Sequence, residues 1–290
     1  MKLNYKRTLL VGLAFLSICA FWQLYDNVVP LILKNTFDIP DDIAGVIMAL
    51  DNVLALFLLP LFGKLSDRTH TRLGRRMPYI LGGTLAAVVL MNLLPVADGA
   101  RSLWLFVVAL GLLLLAMGVY RSPAVALMPD VIPKPLRSKG NAIINLMGAV
   151  GGVMALGFIT VMVPKTENPD YTAVFAAAAI VMVVSVTILA LTIRENKMAV
   201  KDEPEEKERA ENVPQRGLSA PEKRSLVLIL ASVFFWFMGY NAVTTAFSKY
   251  ARAYWGLTGG AFAYTLIIAQ AAAICAYLPV AALSQRIGRR

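Results

Sequence analysis

Two stretches, Pro78–Ala97 and Leu103–Tyr120, run for 20 and 18 residues without one Asp, Glu, Lys or Arg. At about 1.5 Å rise per residue, some 20 apolar residues span the ~30 Å hydrocarbon core of a bilayer, so such stretches read as transmembrane helices. A transmembrane β-barrel would instead alternate apolar and polar residues in segments of about ten, and that alternation is absent. Eight spans are expected, at 8–33, 43–63, 77–96, 103–127, 141–163, 172–193, 225–248 and 260–283. A mean hydropathy of +0.65 agrees with an all-α, multi-pass membrane protein.

The net charge of +10 is a property of the connections, not of the spans. One set of connections holds 22 of the 28 Lys/Arg: the N-terminus, 64–76, 134–139, 194–224 and 286–290. The opposite set holds five, namely Lys34, Arg101, Lys165, Lys249 and Arg252, and Arg121 lies within a span. An excess of basic residues marks the cytoplasmic side, so the N-terminus is expected inside. No basic face alternates with aromatics, so a nucleic-acid partner is not expected and the lipid bilayer is. The first span resembles a secretory h-region but is too long, and no small-x-small cleavage site closes it; it reads as a retained helix. Cys19 and Cys275 both fall inside apolar runs and imply no disulfide.

Residues 194–224 differ from the rest, with eight basic and eight acidic residues and little to bury. They read as a solvated linker with some helix at Glu205–Glu211. Three parts follow: a six-helix bundle over 1–193, a cytoplasmic linker over 194–224, and the first two helices of a second bundle over 225–290. A repeat supports the division. Ser66-Asp67-Arg68 followed by Gly74-Arg75-Arg76 after span two returns after span eight as Ser284-Gln285-Arg286-Ile287-Gly288-Arg289-Arg290. Two similar halves in parallel form a transporter architecture. Four further spans would make the halves equal, so a fragment of a twelve-span protein is expected.

Gly63-x-x-x-Asp67-Arg68-…-Gly74-Arg75-Arg76 between spans two and three resembles the signature loop of the major facilitator superfamily. The longer form, Thr71-Arg72-x-Gly74-Arg75-Arg76-x-Pro78, is similar to that of the glycoside–pentoside–hexuronide cation symporters and the sucrose/proton symporters. So are Trp22-Gln23-Leu24-Tyr25-Asp26-Asn27-Val28-Val29-Pro30 in span one and Tyr120-Arg121-Ser122-Pro123 through Asp130 at the end of span four. The resemblance implies alternating access in the cell (plasma) membrane, with a sugar carried alongside a proton or sodium by a monomer. An exporter of drugs or metabolites, or a non-transporting scaffold, is the competing reading. No Walker loop, HExxH, Gly-x-Ser-x-Gly or Cys/His cluster occurs, so neither an enzyme nor a cofactor or metal is expected.

An ionised side chain at mid-bilayer costs roughly 2.5–3.5 kcal/mol even on lenient scales, which makes Asp26, Asp51 and Arg121 conspicuous. Asp26 and Asp51 both fall roughly 10–12 Å below the outer edge by helical rise, close enough to share a cavity. Such a pair can take up a proton at one face and release it at the other, and a carboxylate also accepts from sugar hydroxyls. Asp26 is therefore expected mainly at the substrate, with Trp22, Tyr25 and Asn27 around it, and Asp51 mainly at the coupling cation. A buried ion pair that fixes packing is the alternative for both. Arg121 offers a planar fork of donors, which the resemblance places in the sugar pathway; snorkelling to the headgroups is its alternative. Tyr240, Asn241 and Gln270 are further mid-span polar groups, and Gly148, Gly151 and Gly152 read as packing positions.

In the loop after span two, the resemblance implies a charge relay that latches the outward-open state through Asp67, Arg68, Arg72, Arg75, Arg76 and Asp130. Asp130 is expected to pair with Arg75 or Arg76, and Asp67 to cap a helix N-terminus in the second half. Plain positive-inside patterning is the alternative.

Overall fold

The computed structural model describes residues 3–166, 168–198 and 219–287. Every long element among them is helical: α1 (Tyr5–Asn35), α2 (Asp41–Arg68), α3 (Met77–Gly99), α4 (Leu103–Val131), α5 (Arg137–Met162), α6 (Thr172–Thr192), α7 (Glu195–Met198), α8 (Ala220–Trp255) and α9 (Ala261–Ile287). A 3-10 turn, Lys134–Leu136, leads into α5. Seven of these helices are long and apolar enough to cross a membrane. In α9 the apolar part is shorter, Ala261–Ala276. The helix expected at Glu205–Glu211 and the closing Gly288-Arg289-Arg290 of the repeat lie outside the described residues.

The helices outrun their apolar windows because polar residues at their ends hold the terminal turns. Asn4 caps α1 by accepting from the Arg7 backbone N–H at 3.0 Å. Glu222 reaches back to the Ser219 backbone N–H at 2.7 Å to start α8 five residues before the apolar run. Gly256, at φ +63°, ends α8 in the left-handed conformation that glycine adopts without strain. At 36 residues α8 is about 54 Å long, well beyond a hydrocarbon core.

α1 is the hub. It packs against α4, α5, α6 and α8, and Val11, Ala14, Val28, Ile32 and Leu33 are fully buried. α3 packs against α4 and α6, α2 against α4, and α9 against α5. Lipid tails are as apolar as leucine, so close backbone approach and interhelical hydrogen bonds hold such a bundle together. One such approach is at Gly151 of α5, where an added Cβ would stand 2.0 Å from the Leu16 carbonyl oxygen. Gly148 packs beside Cys19 in the same seam, but Gly152 has open space next to it, so only two of the three glycines expected at packing positions carry that role. The Tyr120 hydroxyl contacts Ser17 and donates to the Ala14 carbonyl at 3.0 Å, joining α4 to α1. Ser122 donates to the Leu59 carbonyl at 2.6 Å, joining α4 to α2.

α8 stands apart. None of its apolar window is buried, and its buried residues, Ser248 and Ala251, lie in its last two turns. α2 is nearly as open, with Ala44, Met48 and Ser66 its only buried residues. Between these two sparsely packed helices lies a cavity.

Candidate functional site

The cavity, about 600 Å³, is walled by α2 and α8 and reached by Asp26 from α1. Small residues create the space: Ala44, Gly45 and Ala49 on α2 face Ala242, Ala246 and Ala253 on α8. Polar groups then furnish it. Asp26, Asp41 and Asp51 bring three carboxyls, Asn52 and Asn241 two amides, and Thr245 and Tyr250 two hydroxyls. Lys249 lines it too, and its Nζ lies 2.8 Å from Asp41 Oδ1, so the pair bridges α2 and α8. Asp51 Oδ1 accepts from Asn52 Nδ2 at 2.8 Å.

A second space of about 20 Å³, enough for about one water, adjoins the first and shares Asp51 with it. Trp22 and Arg121 line it, and the Arg121 guanidinium carbon sits 5.5 Å from the centre of the Trp22 ring. That distance is a cation–π contact. Asp51 therefore stands between a roomy polar cavity and a guanidinium held over an indole.

Asp26, Asp51, Trp22 and Arg121 thus converge. Tyr25 and Asn27, flanking Asp26 in sequence, do not line either space. Each residue of an α-helix turns by about 100°, so the neighbours of an inward carboxylate point elsewhere. Tyr25 is buried, stacked on Phe21 at 6.0 Å and edge-on to Trp22 at 5.3 Å, with its hydroxyl toward the Met48 carbonyl at 3.4 Å. Asn27 is buried and donates to the Gln23 carbonyl at 2.8 Å. Of the second-half residues, Asn241 lines the cavity, Tyr240 stacks on Trp236, and Gln270 lies outside it.

At the opposite end of α2 the basic loop closes on itself. Asp130 of α4 accepts from Arg75 Nη2 at 2.6 Å and from Arg76 Nε at 2.9 Å. Arg76 is buried, and its remaining donors reach the Gly63 carbonyl at 3.1 Å, the Ser66 hydroxyl at 2.5 Å and Asp67. Asp130 thus pairs with both arginines at once. Asp67, expected to cap a helix of the second half, pairs with Arg76 instead, because α2 ends beside that arginine. Arg68 and Arg72 are exposed and outside the network.

Sequence reasoning missed the network's third acid. Glu195 of α7 is buried, and its carboxylate accepts from the backbone N–H groups of Arg75, Arg76 and Met77 at 3.1, 3.0 and 3.3 Å. Those donors open α3, whose N-terminus has no side-chain cap of its own. A carboxylate there satisfies orphan donors and complements the helix dipole. Asn196 adds bonds to the Thr71 and Arg72 carbonyls at 2.9 and 3.1 Å. The linker therefore begins as a docked strap. An uncapped helix start preceded by two arginines was the available signal, but nothing in the sequence names which of eight acids answers it.

Long apolar helices around a polar, carboxyl-lined cavity define a multi-pass α-helical membrane protein. The Major Facilitator Superfamily model matches residues 11–290, and the chain belongs to that superfamily. Among solved structures it is similar to the in meso crystal structure of the POT family transporter PepTSo, with a TM-score of 0.51 at 13% identity. The match covers 85% of this chain and 52% of that one, so the chain spans about half the length of that structure. At that identity the likeness is one of fold. Comparison with curated proteins gives no match.

Proposed function

We propose that this chain serves secondary active transport by alternating access, moving a neutral sugar of oligosaccharide or sucrose type together with a proton. The observation that carries the reading is the convergence of Asp26 and Asp51 on one cavity between the first six helices and α8. Carboxyls cost free energy in an apolar bundle, and a cation-coupled carrier is a use for them. Asp51 is assigned the coupling proton because it borders both the large cavity and the Arg121–Trp22 pair. Asp26 is assigned the substrate hydroxyls. The charge network of Asp67, Arg75, Arg76 and Asp130 is assigned to conformational bias, with the basic face toward the cytoplasm of a plasma membrane.

Substrate-induced alkalinisation of the medium tests this. A symporter raises external pH on addition of its sugar, and Asp51→Asn abolishes that rise while leaving sugar exchange. Proton-coupled uptake that survives Asp51→Asn overturns the coupling assignment. Acidification of the medium on sugar addition, or no pH change with any sugar, overturns sugar–proton symport and favours an exporter of the same superfamily.

A further inference from the structure

A cavity of about 210 Å³ lies away from the large one, between the first turn of α1 and the turn joining α4 to α5. Leu3, Val131, Ile132 and Leu136 give it an apolar wall, and Asn4, Arg7 and Thr8 give it a polar one. We propose that this cavity binds the phosphate of an anionic phospholipid, with Arg7 as its partner.

Three observations converge. The first is an unmet donor. Arg7 Nη2 donates to the Met198 carbonyl, which holds the guanidinium in place, while Arg7 Nε is buried without an acceptor. Buried donors are nearly always paired, so this one calls for an anion or another acceptor that the described residues do not supply. Thr8 gives its hydroxyl proton to the Asn4 carbonyl and Asn4 Oδ1 accepts from the Arg7 backbone N–H, and neither oxygen bonds Arg7 Nε.

The second is level. Arg7 sits where the apolar run of α1 begins, and Val131–Leu136 lie where that of α4 ends. Both walls therefore stand at the boundary between hydrocarbon and headgroups. The third is size. Pockets that enclose a drug-sized ligand run from about 300 Å³ upward, so this one holds a phosphate and glycerol while the chains stay in the bilayer. An apolar wall next to a guanidinium fits that amphipathic junction better than it fits a fully hydrated anion.

Native mass spectrometry on the full-length chain, released from phosphatidylglycerol/phosphatidylcholine mixtures, tests the site. Phosphatidylglycerol is expected to be retained about fivefold over phosphatidylcholine, the preference that one basic residue confers at a membrane surface. Arg7→Gln brings the two lipids to parity. Leu3→Trp fills the cavity from its apolar wall, keeps Arg7, and reduces retention of both, which guards against a folding defect in the first variant. An unchanged preference for phosphatidylglycerol in both variants overturns the proposal. Inorganic phosphate that displaces the lipid, and raises the melting temperature without it, overturns the bilayer as the source of the ligand.

Discussion

Gly74 and Glu195 leave no room for a side chain between them: a Cβ on Gly74 would stand 2.2 Å from Glu195 Oε2. Gly74 also holds φ at +122°, where L-residues are rarely found. Gly74→Ala should therefore destabilise by more than 1 kcal/mol for two separable reasons. Glu195→Ala removes a cap and should cost roughly 1–2 kcal/mol. In the double variant the contacts with Oε2 and Cδ are gone, while the 2.6 Å contact with the residue-195 Cβ and the backbone strain remain, so Gly74→Ala should still cost less on the Glu195→Ala background than alone. Thermal unfolding of the four proteins in detergent measures the coupling, and simple additivity would break the argument.

That contact also marks the boundary of what a reader of the sequence can recover. Seven of the eight expected spans are written in hydropathy as helices long and apolar enough to cross, since charge cannot be spread cheaply through a bilayer. The pairing of Asp130 with Arg75 and Arg76 follows from two ends of apolar runs meeting at one face. Glu195 was hidden because it is one acid in a charged stretch, and its three donors lie about 120 positions earlier. Tyr25 and Asn27 show the opposite failure: sequence neighbours of Asp26 look like site residues until the helical turn rotates them away. Asp41 and Lys249 each look like ordinary boundary charges, and only the packing of α8 near α2 makes them partners.

The two glycines at 151 and 152 offer a contrast at adjacent positions. Gly151→Ala drives a methyl into the Leu16 carbonyl and must push α5 from α1, whereas Gly152→Ala meets nothing within 4 Å. Overpacking of this kind costs about 1–3 kcal/mol. Gly152 is buried but a methyl there has room, so the alanine is neutral or gains up to about 1 kcal/mol from helix propensity. Melting temperatures of the two single variants should therefore move in different directions or differ by several degrees, and equal shifts would refute the α1–α5 seam.

Within the basic loop the arginines should divide sharply. Asp130→Asn leaves buried Arg76 leaning on Asp67, whose side chain is 54% exposed, and removes the bidentate partner of Arg75. Breaking a buried pair costs about 3–5 kcal/mol, and the surviving contacts of Arg76 place this case near the lower end. Arg68→Gln and Arg72→Gln, by contrast, should stay within about 0.5 kcal/mol of the parent. Stability comparable across all three would mean that the loop acts through net charge alone.

The Asp41–Lys249 pair tests whether the cavity's rim moves. Asp41 is 71% exposed, so the pair contributes at most about 1 kcal/mol to stability and barely shifts the melting temperature. The same 1 kcal/mol applied to two conformers of similar free energy changes their ratio about fivefold. A stability assay would thus miss an effect that a conformational assay sees. Gly45 lines the cavity with open space beside it, so Gly45→Cys on a Cys275→Ser background reports access. Lys249→Gln should raise the rate of labelling by a water-soluble thiol reagent up to about fivefold. High salt should do the same to the parent by screening the pair. The exchanged pair, Asp41→Lys with Lys249→Asp, should return labelling to the parent rate, because attraction across α2 and α8 is then restored. Equal labelling in all of these proteins would show that the pair decorates the rim without holding it.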